Sequence, residues 1–249
     1  MKCSQFAKIV TASTLVLGLT LGAPAHAAKY KVTEVKDGGT ITGKVTFKGD
    51  DPAPKLFAVT KDQDVCGEGD RKIDFVKVKD GALTDVVVYL DKIKEGKAFP
   101  DDIAAGGVNQ KGCAFDPFIQ IMKNNEDFTA KNSDAVSHNI HTYEIMGRAK
   151  KTVFNISQPD MGDITKKVKL KRGTAMKIEC DQHDFMHGFA FVAKTPYFAL
   201  VAEDGTYKID NVPAGKYKIK AWHGTLKEQK GKVEVAASGE ATADFEFKK

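Results

Sequence analysis

The chain has 249 residues, 42% of them hydrophobic, and carries 38 Lys and Arg against 33 Asp and Glu for a formal net charge of +5. A balance this mild and mixed in sign offers no concentrated basic face, which excludes a nucleic-acid-binding reading. The length suits one large β domain or two small ones.

Residues 1–27 read as a Sec-type secretory signal cut after Ala27: Lys2 and Lys8 give a positive start, Ile9 to Leu21 is apolar, and Ala25-His26-Ala27 is a small-x-small cleavage site. The apolar run is too short to span a membrane. Cys3 precedes that run, so it is not a lipid-anchor site, and no twin arginine is present. The expected product is periplasmic or otherwise exported, has no membrane span, and retains Cys66, Cys113 and Cys180. An odd count in a disulfide-permitting compartment is most economically one disulfide and one special thiol. Cys180 sits among potential ligands, which assigns Cys66 to Cys113; another pairing with one idle buried thiol is the alternative.

Short alternating runs separated by Gly, Pro, Asp and Asn recur along the chain, the pattern of an all-β sandwich or barrel. Thr40 to Phe47 alternates and is broken by Asp51-Pro-Ala-Pro54. Lys61 to Asp70 is polar and reads as a loop stapled through Cys66. Val86, Val88 and Leu90 form one strand face with Val87 and Tyr89 on the other, so both faces expect cover. Ile93 to Gly112, with Pro100 and Gly106-Gly107, reads as a linker. Further strands are expected over Phe118–Met122, Asn139–Met146, Thr152–Ile156, Lys166–Arg172, Ala175–Cys180 and Gly188–Ala193. In Lys166–Arg172 the alternating lysines read as a protected, solvated edge, the other reading being a docking patch for an acidic partner.

The chemistry concentrates in Cys180-Asp-Gln-His183-Asp-Phe-Met186 and in Ser-His138-Asn139-Ile-His141. Met176, Ile178 and Cys180 share a strand face and Gly188 starts the returning strand, so 181–187 is a tight loop able to aim Cys180, His183 and Met186 at one point. His138, at the start of another strand, supplies a fourth group. A thiolate, two imidazoles and a thioether are the donors of a type 1 (blue) copper site, with the thioether weak and axial. Cys180 would bind as thiolate and the histidines as neutral imidazoles, each needing its other nitrogen oriented. Asn139 is placed to brace the Cys loop, or is an ordinary turn residue. His141 falls on the opposite strand face from His138 and is not expected to be a ligand; His187 reads as a surface residue at the mouth of the site, and His223 has no assigned role.

His138-Asn-Ile-His141 with Cys180-x2-His183-x2-Met186 and a following apolar strand resembles the cupredoxin family, its amicyanin and plastocyanin type in particular. The resemblance covers roughly residues 111–195. It implies His138, Cys180, His183 and Met186 as ligands of one copper ion, His183 as the exposed edge through which electrons pass, and redox partners such as a c-type cytochrome or a periplasmic dehydrogenase. Asp184 stands where the amicyanin type has proline. A second stretch, Asp204-Gly-Thr-Tyr207-Lys-Ile209 and Val212-Pro-Ala-Gly215-Lys-Tyr217, resembles the carboxypeptidase regulatory-like, transthyretin-like β-sandwich, with Gly39–Phe47 as its opening strand. The organisation expected is therefore a signal (1–27), the first strands of an outer sandwich plus linker (28–110), a cupredoxin Greek-key sandwich (111–195) and the remaining outer strands (196–249).

The function expected is one-electron transfer through Cu(I)/Cu(II). A copper chaperone or store, using His141 and His187 in transfer, is the alternative. A structural zinc site is disfavoured because a thioether is a poor zinc ligand. An enzyme is not expected: a full ligand set leaves no open position, and no nucleophile-base or paired-carboxylate spacing stands out.

Overall fold

The computed structural model describes residues 1, 30–103 and 105–249; the expected signal sequence after Met1 lies outside them. Among the described residues the chain is almost entirely β, with one short helix at Gln63–Cys66. No helix among them is long and apolar enough to cross a membrane, which says nothing of a β-barrel.

Two sandwiches are built from interleaved parts of the chain. In the outer one, a sheet ordered Phe198–Leu200, Val86–Asp91, Gly215–His223, Lys227–Val235 faces a sheet centred on Gly39–Lys48. Gly39–Lys48 pairs with Thr206–Val212, with Ala82–Leu83, and in parallel with Glu240–Thr242 and Phe245–Lys248. Ile41, Val45, Phe47, Val86, Val88, Leu90, Ile219 and Phe247 fill the space between them.

The inner sandwich has one sheet ordered Phe115–Asp116, Gly106–Gln110, Glu126–Asn132, Gly162–Val168 and another ordered Ile119–Lys123, His187–Ala193, Ala175–Glu179, His138–Met146, Ala149–Gln158. Phe128, Ile140, Met176, Ile178, Ala190 and Val192 pack between the two. The expected linker holds a strand: Gly106–Gln110 pairs in parallel with Glu126–Asn132, itself a strand that its polar sequence concealed. Gly107 explains the misreading, since a Cβ there would stand 2.7 Å from the Thr129 carbonyl oxygen. Close backbone approach, not a turn, requires glycine at that position. The lysine-rich strand runs Gly162–Val168, earlier than its alternation suggested, and lies at a sheet edge with Lys166 and Lys167 exposed.

The sandwiches share a third apolar layer. Val87, Tyr89 and Trp222 of the outer sheet meet Ile119, Ala175, Phe189, Phe191 and Ala193 of the inner one. This is why the Val86–Asp91 strand is apolar on both faces. At about 1.5–3 kcal/mol for each large side chain fully buried, the contact is strong enough to hold the sandwiches in one orientation.

One more contact matters for the site. The hairpin of Lys55–Ala58 with Asp70–Ile73 leaves the outer sandwich and lies across the end of the inner one. Val59 and Cys66 are buried in the inner core, with Phe57, Val65 and Ile73 packed against it. This hairpin and the loop it carries form a strap, tied by a Cys66–Cys113 disulfide spanning 47 residues. Arg71 reinforces the tie: its guanidinium donates to the carbonyls of Cys66 (2.6 Å), Cys113 (2.5 Å) and Gly112 (2.9 Å).

Candidate metal centre

Ala175–Glu179 alternates, so Met176 and Ile178 point into the inner core and Cys180, next on that face, is delivered to its end. The chain turns there, closed by the Met186 N–H donating to the His183 carbonyl (3.0 Å), and returns as His187–Ala193. His138 opens the adjacent strand. The structure thus brings His138, Cys180 and His183 together in a buried group. His138 Nδ1 is 3.1 Å from His183 Nδ1, and Cys180 Sγ is 3.7 Å from His183 Nδ1 and 4.0 Å from His138 Nδ1. Donors bound at about 2.0–2.3 Å to a small ion in tetrahedral or trigonal geometry lie roughly 3.3–3.8 Å apart, which this triangle approximates.

The outer nitrogens of both rings face carboxylates. His138 Nε2 is 3.0 Å from Asp134 Oδ2, and His183 Nε2 is 2.9 Å from Asp62 Oδ2. Donation of both Nε2–H groups fixes the tautomer and turns both Nδ1 lone pairs inward. Two lone pairs facing each other at 3.1 Å beside a sulfur have no proton to share and call for a cation between them. The donor set therefore fits a metal ion, with soft sulfur favouring copper or zinc over a hard ion.

The carboxylates are themselves fixed. Burial raises the Asp134 carboxyl, but the Cys113 N–H, the His138 ring and the Gly112 N–H together hold it below the ordinary range. Burial is the main cause lowering the His183 ring's proton affinity, and the Asp62 hydrogen bond opposes it. Asp62 has φ 52° and ψ 39°, a left-handed conformation that Asp tolerates better than most residues.

Asn139 spans the site: its N–H points at Cys180 Sγ (3.4 Å), its Oδ1 accepts the Asp181 N–H (2.5 Å), and its Nδ2 donates to Asp181 and Asn155. Met186 is 1% exposed, in the same core as Cys180. His141 lies outside the donor triangle, bonded to Asp181, Thr152 and Tyr143 and stacked on the Tyr143 ring. His187 is not at the surface mouth the sequence suggested: it is half-buried between Phe57 of the strap and Phe75, with ring centroids 5.4 and 5.0 Å away. His223 is buried, its Nδ1 accepting the Thr225 and Leu226 N–H groups.

One expectation is overturned. His183 is not an exposed edge: it is 1% exposed, because the strap lays Asp62 over its outer nitrogen and Lys61 over Gln182. Sequence reasoning missed both Asp62 and Asp134. An Asp four residues before a His in Ser133-Asp134-Ala-Val-Ser-His138 looks like a turn former. Asp62 could have been found only by following the Cys66–Cys113 pairing to its neighbours.

Neither a family model nor a curated protein matches this sequence. Among solved structures it is similar to amicyanin from Paracoccus versutus, at 17% identity and TM-score 0.28 over 38% of this chain and 84% of that one. A purple cupredoxin from Nitrosopumilus maritimus matches at 15% and 0.30 over 35% of this chain and 99% of its own. A copper-containing nitrite reductase from Thermus scotoductus matches at 13% and 0.29 over 36% and 22%. These matches lend no support to the resemblance expected of the outer sandwich, and at such TM-scores they carry no weight for function.

Proposed function

We propose that this chain is an exported type 1 copper protein carrying single electrons between redox partners. The observation that carries the reading is the inward-facing triangle of His138 Nδ1, His183 Nδ1 and Cys180 Sγ, with both imidazole tautomers set by carboxylates. Copper held there supplies the Cu(I)/Cu(II) couple. The rest is done by this chain's residues. Cys180 would contribute the thiolate, His138 and His183 neutral imidazoles, and Met186, buried in the same core, a weak thioether. Asp134 and Asp62 would hold both rings oriented toward the ion. Asn139 ties the loop of Cys180 to the strand of His138 and would hold the donors in one arrangement. Partners of the reading are one-electron proteins such as a c-type cytochrome or a periplasmic dehydrogenase.

Loaded with Cu(II), the full chain should show an intense visible thiolate-to-copper absorption band that Cys180→Ser abolishes. A colourless complex, or a band surviving that substitution, contradicts the reading. The cover over His183 favours a second function, a copper store or chaperone. Stopped-flow mixing with an oxidised c-type cytochrome separates the two: a carrier reduces it in milliseconds to seconds, whereas a store does not but yields Cu(I) to a competing chelator.

A further inference from the structure

The disulfide that ties the strap also forms one wall of the metal centre. Cys66 Sγ, Cys113 Sγ and a His183 nitrogen lie within 4.8 Å of one another, and so do Cys113 Sγ, an Asp134 oxygen and a His138 nitrogen. All of these side chains are buried, with Cys113 at 0% and Cys66 at 3% exposure. Each histidine therefore has a disulfide sulfur within 4.8 Å of one of its ring nitrogens, close to the Cys180 site. A sulfur in a disulfide is a poor donor, whereas a thiolate is the donor that selects soft monovalent copper.

We propose that opening the Cys66–Cys113 disulfide creates a second, soft-metal site for Cu(I), made of the Cys66 and Cys113 thiolates alone, since His183 already turns Nδ1 to Cys180 and bonds Asp62 through Nε2. The chemistry balances with a dithiol as reductant. Its first thiolate attacks one disulfide sulfur to give a mixed disulfide, and its second thiol displaces the remaining cysteine as the dithiol closes to its own disulfide. Two electrons and two protons pass to Cys66 and Cys113. Cu(I) then replaces both thiol protons, which leave to solvent. Arg71, held on the carbonyls of Cys66, Cys113 and Gly112 and lying 4.9 Å over the Phe185 ring, keeps the strap in place when the covalent tie is gone. Its positive charge also offsets the charge of two thiolates. The site is independent of the copper reading at Cys180 and gives the chain a metal capacity set by the redox state of its disulfide.

The test counts ions. The full chain is prepared with the disulfide closed and, after anaerobic refolding with a water-soluble phosphine, with it open; alkylation after denaturation verifies two additional thiols. Each form receives Cu(I) as the complex of a bidentate chelator, and native mass spectrometry reads copper per chain while circular dichroism follows the β signal. The closed chain should take one ion and the open chain two. Cys66→Ser/Cys113→Ser should take one in either preparation, and Cys180→Ser none when closed and one when open. An open chain that is folded yet takes no more copper than the closed one overturns the proposal, as does an open chain that has lost its β signal. A closed chain taking none, with an open Cys180→Ser chain taking one, would defeat the copper reading at Cys180 and leave this site standing.

Discussion

His138 and His183 are oriented by the same kind of group from two different regions. Asp134 lies in the loop leading into His138, and its carboxylate also accepts the Gly112 N–H at 2.7 Å and the Cys113 N–H at 2.8 Å. It is preset whenever the inner sandwich folds. Asp62 arrives on a strap from the outer sandwich, with its side chain 28% exposed and Lys61 beside it at 3.9 Å. One half of the metal centre is therefore intrinsic to the inner sandwich. The other is completed only when a distant piece of chain is docked and tied.

Removing the tie is the largest perturbation of this contrast. For a closed loop of 47 residues the chain-entropy model gives about 4 kcal/mol, so Cys66→Ala/Cys113→Ala should lower the unfolding free energy by that order in a urea titration. A loss below about 1 kcal/mol would mean that packing and Arg71 hold the strap unaided.

Acid should act on the outer sandwich through His223. Burial lowers its pKa from 6.5 to about 4. The unfolded chain then binds a proton below about 6.5 that the folded chain refuses until about 4, so stability falls as the pH drops through that window. The loss approaches about 3 kcal/mol and levels off below it. His223→Asn keeps an acceptor for Thr225 and Leu226 and should flatten the dependence between pH 6.5 and 4. An unchanged slope would assign the acid sensitivity elsewhere.

The two carboxylates should separate next. Asp134→Ala orphans two backbone N–H groups near the disulfide and should cost about 2–3 kcal/mol of stability, whereas Asp62→Ala, at a partly exposed position, should cost about 1 kcal/mol or less. Both should weaken copper binding by roughly 10–100-fold in a chelator competition, the usual penalty for losing the partner that orients a ligating histidine. If Asp62→Ala leaves copper affinity intact, the strap covers the site without shaping it.

How much of this was legible in the sequence depended on how local the cause was. Cys180, His183 and Met186 lie within seven residues on one loop, and the alternation of Met176, Ile178 and Cys180 points the thiol inward. The double-sided apolar pattern of Val86–Asp91 announced a strand covered on both faces, and the structure places one face in each of two cores. Gly106–Gln110 was hidden because close approach to Thr129 demands glycine, which reads as a linker. Asp62 and the burial of His183 depend on a contact 121 residues apart in sequence, and no local pattern encodes it.

Electron paramagnetic resonance of the Cu(II)-loaded full chain tests the central claim most directly, because it reports how far the unpaired electron is shared with the Cys180 sulfur. A copper hyperfine splitting much smaller than that of ordinary tetragonal Cu(II) is the predicted result, lost in Cys180→Ser. A wide splitting with nitrogen structure, unaffected by that substitution, would contradict the account.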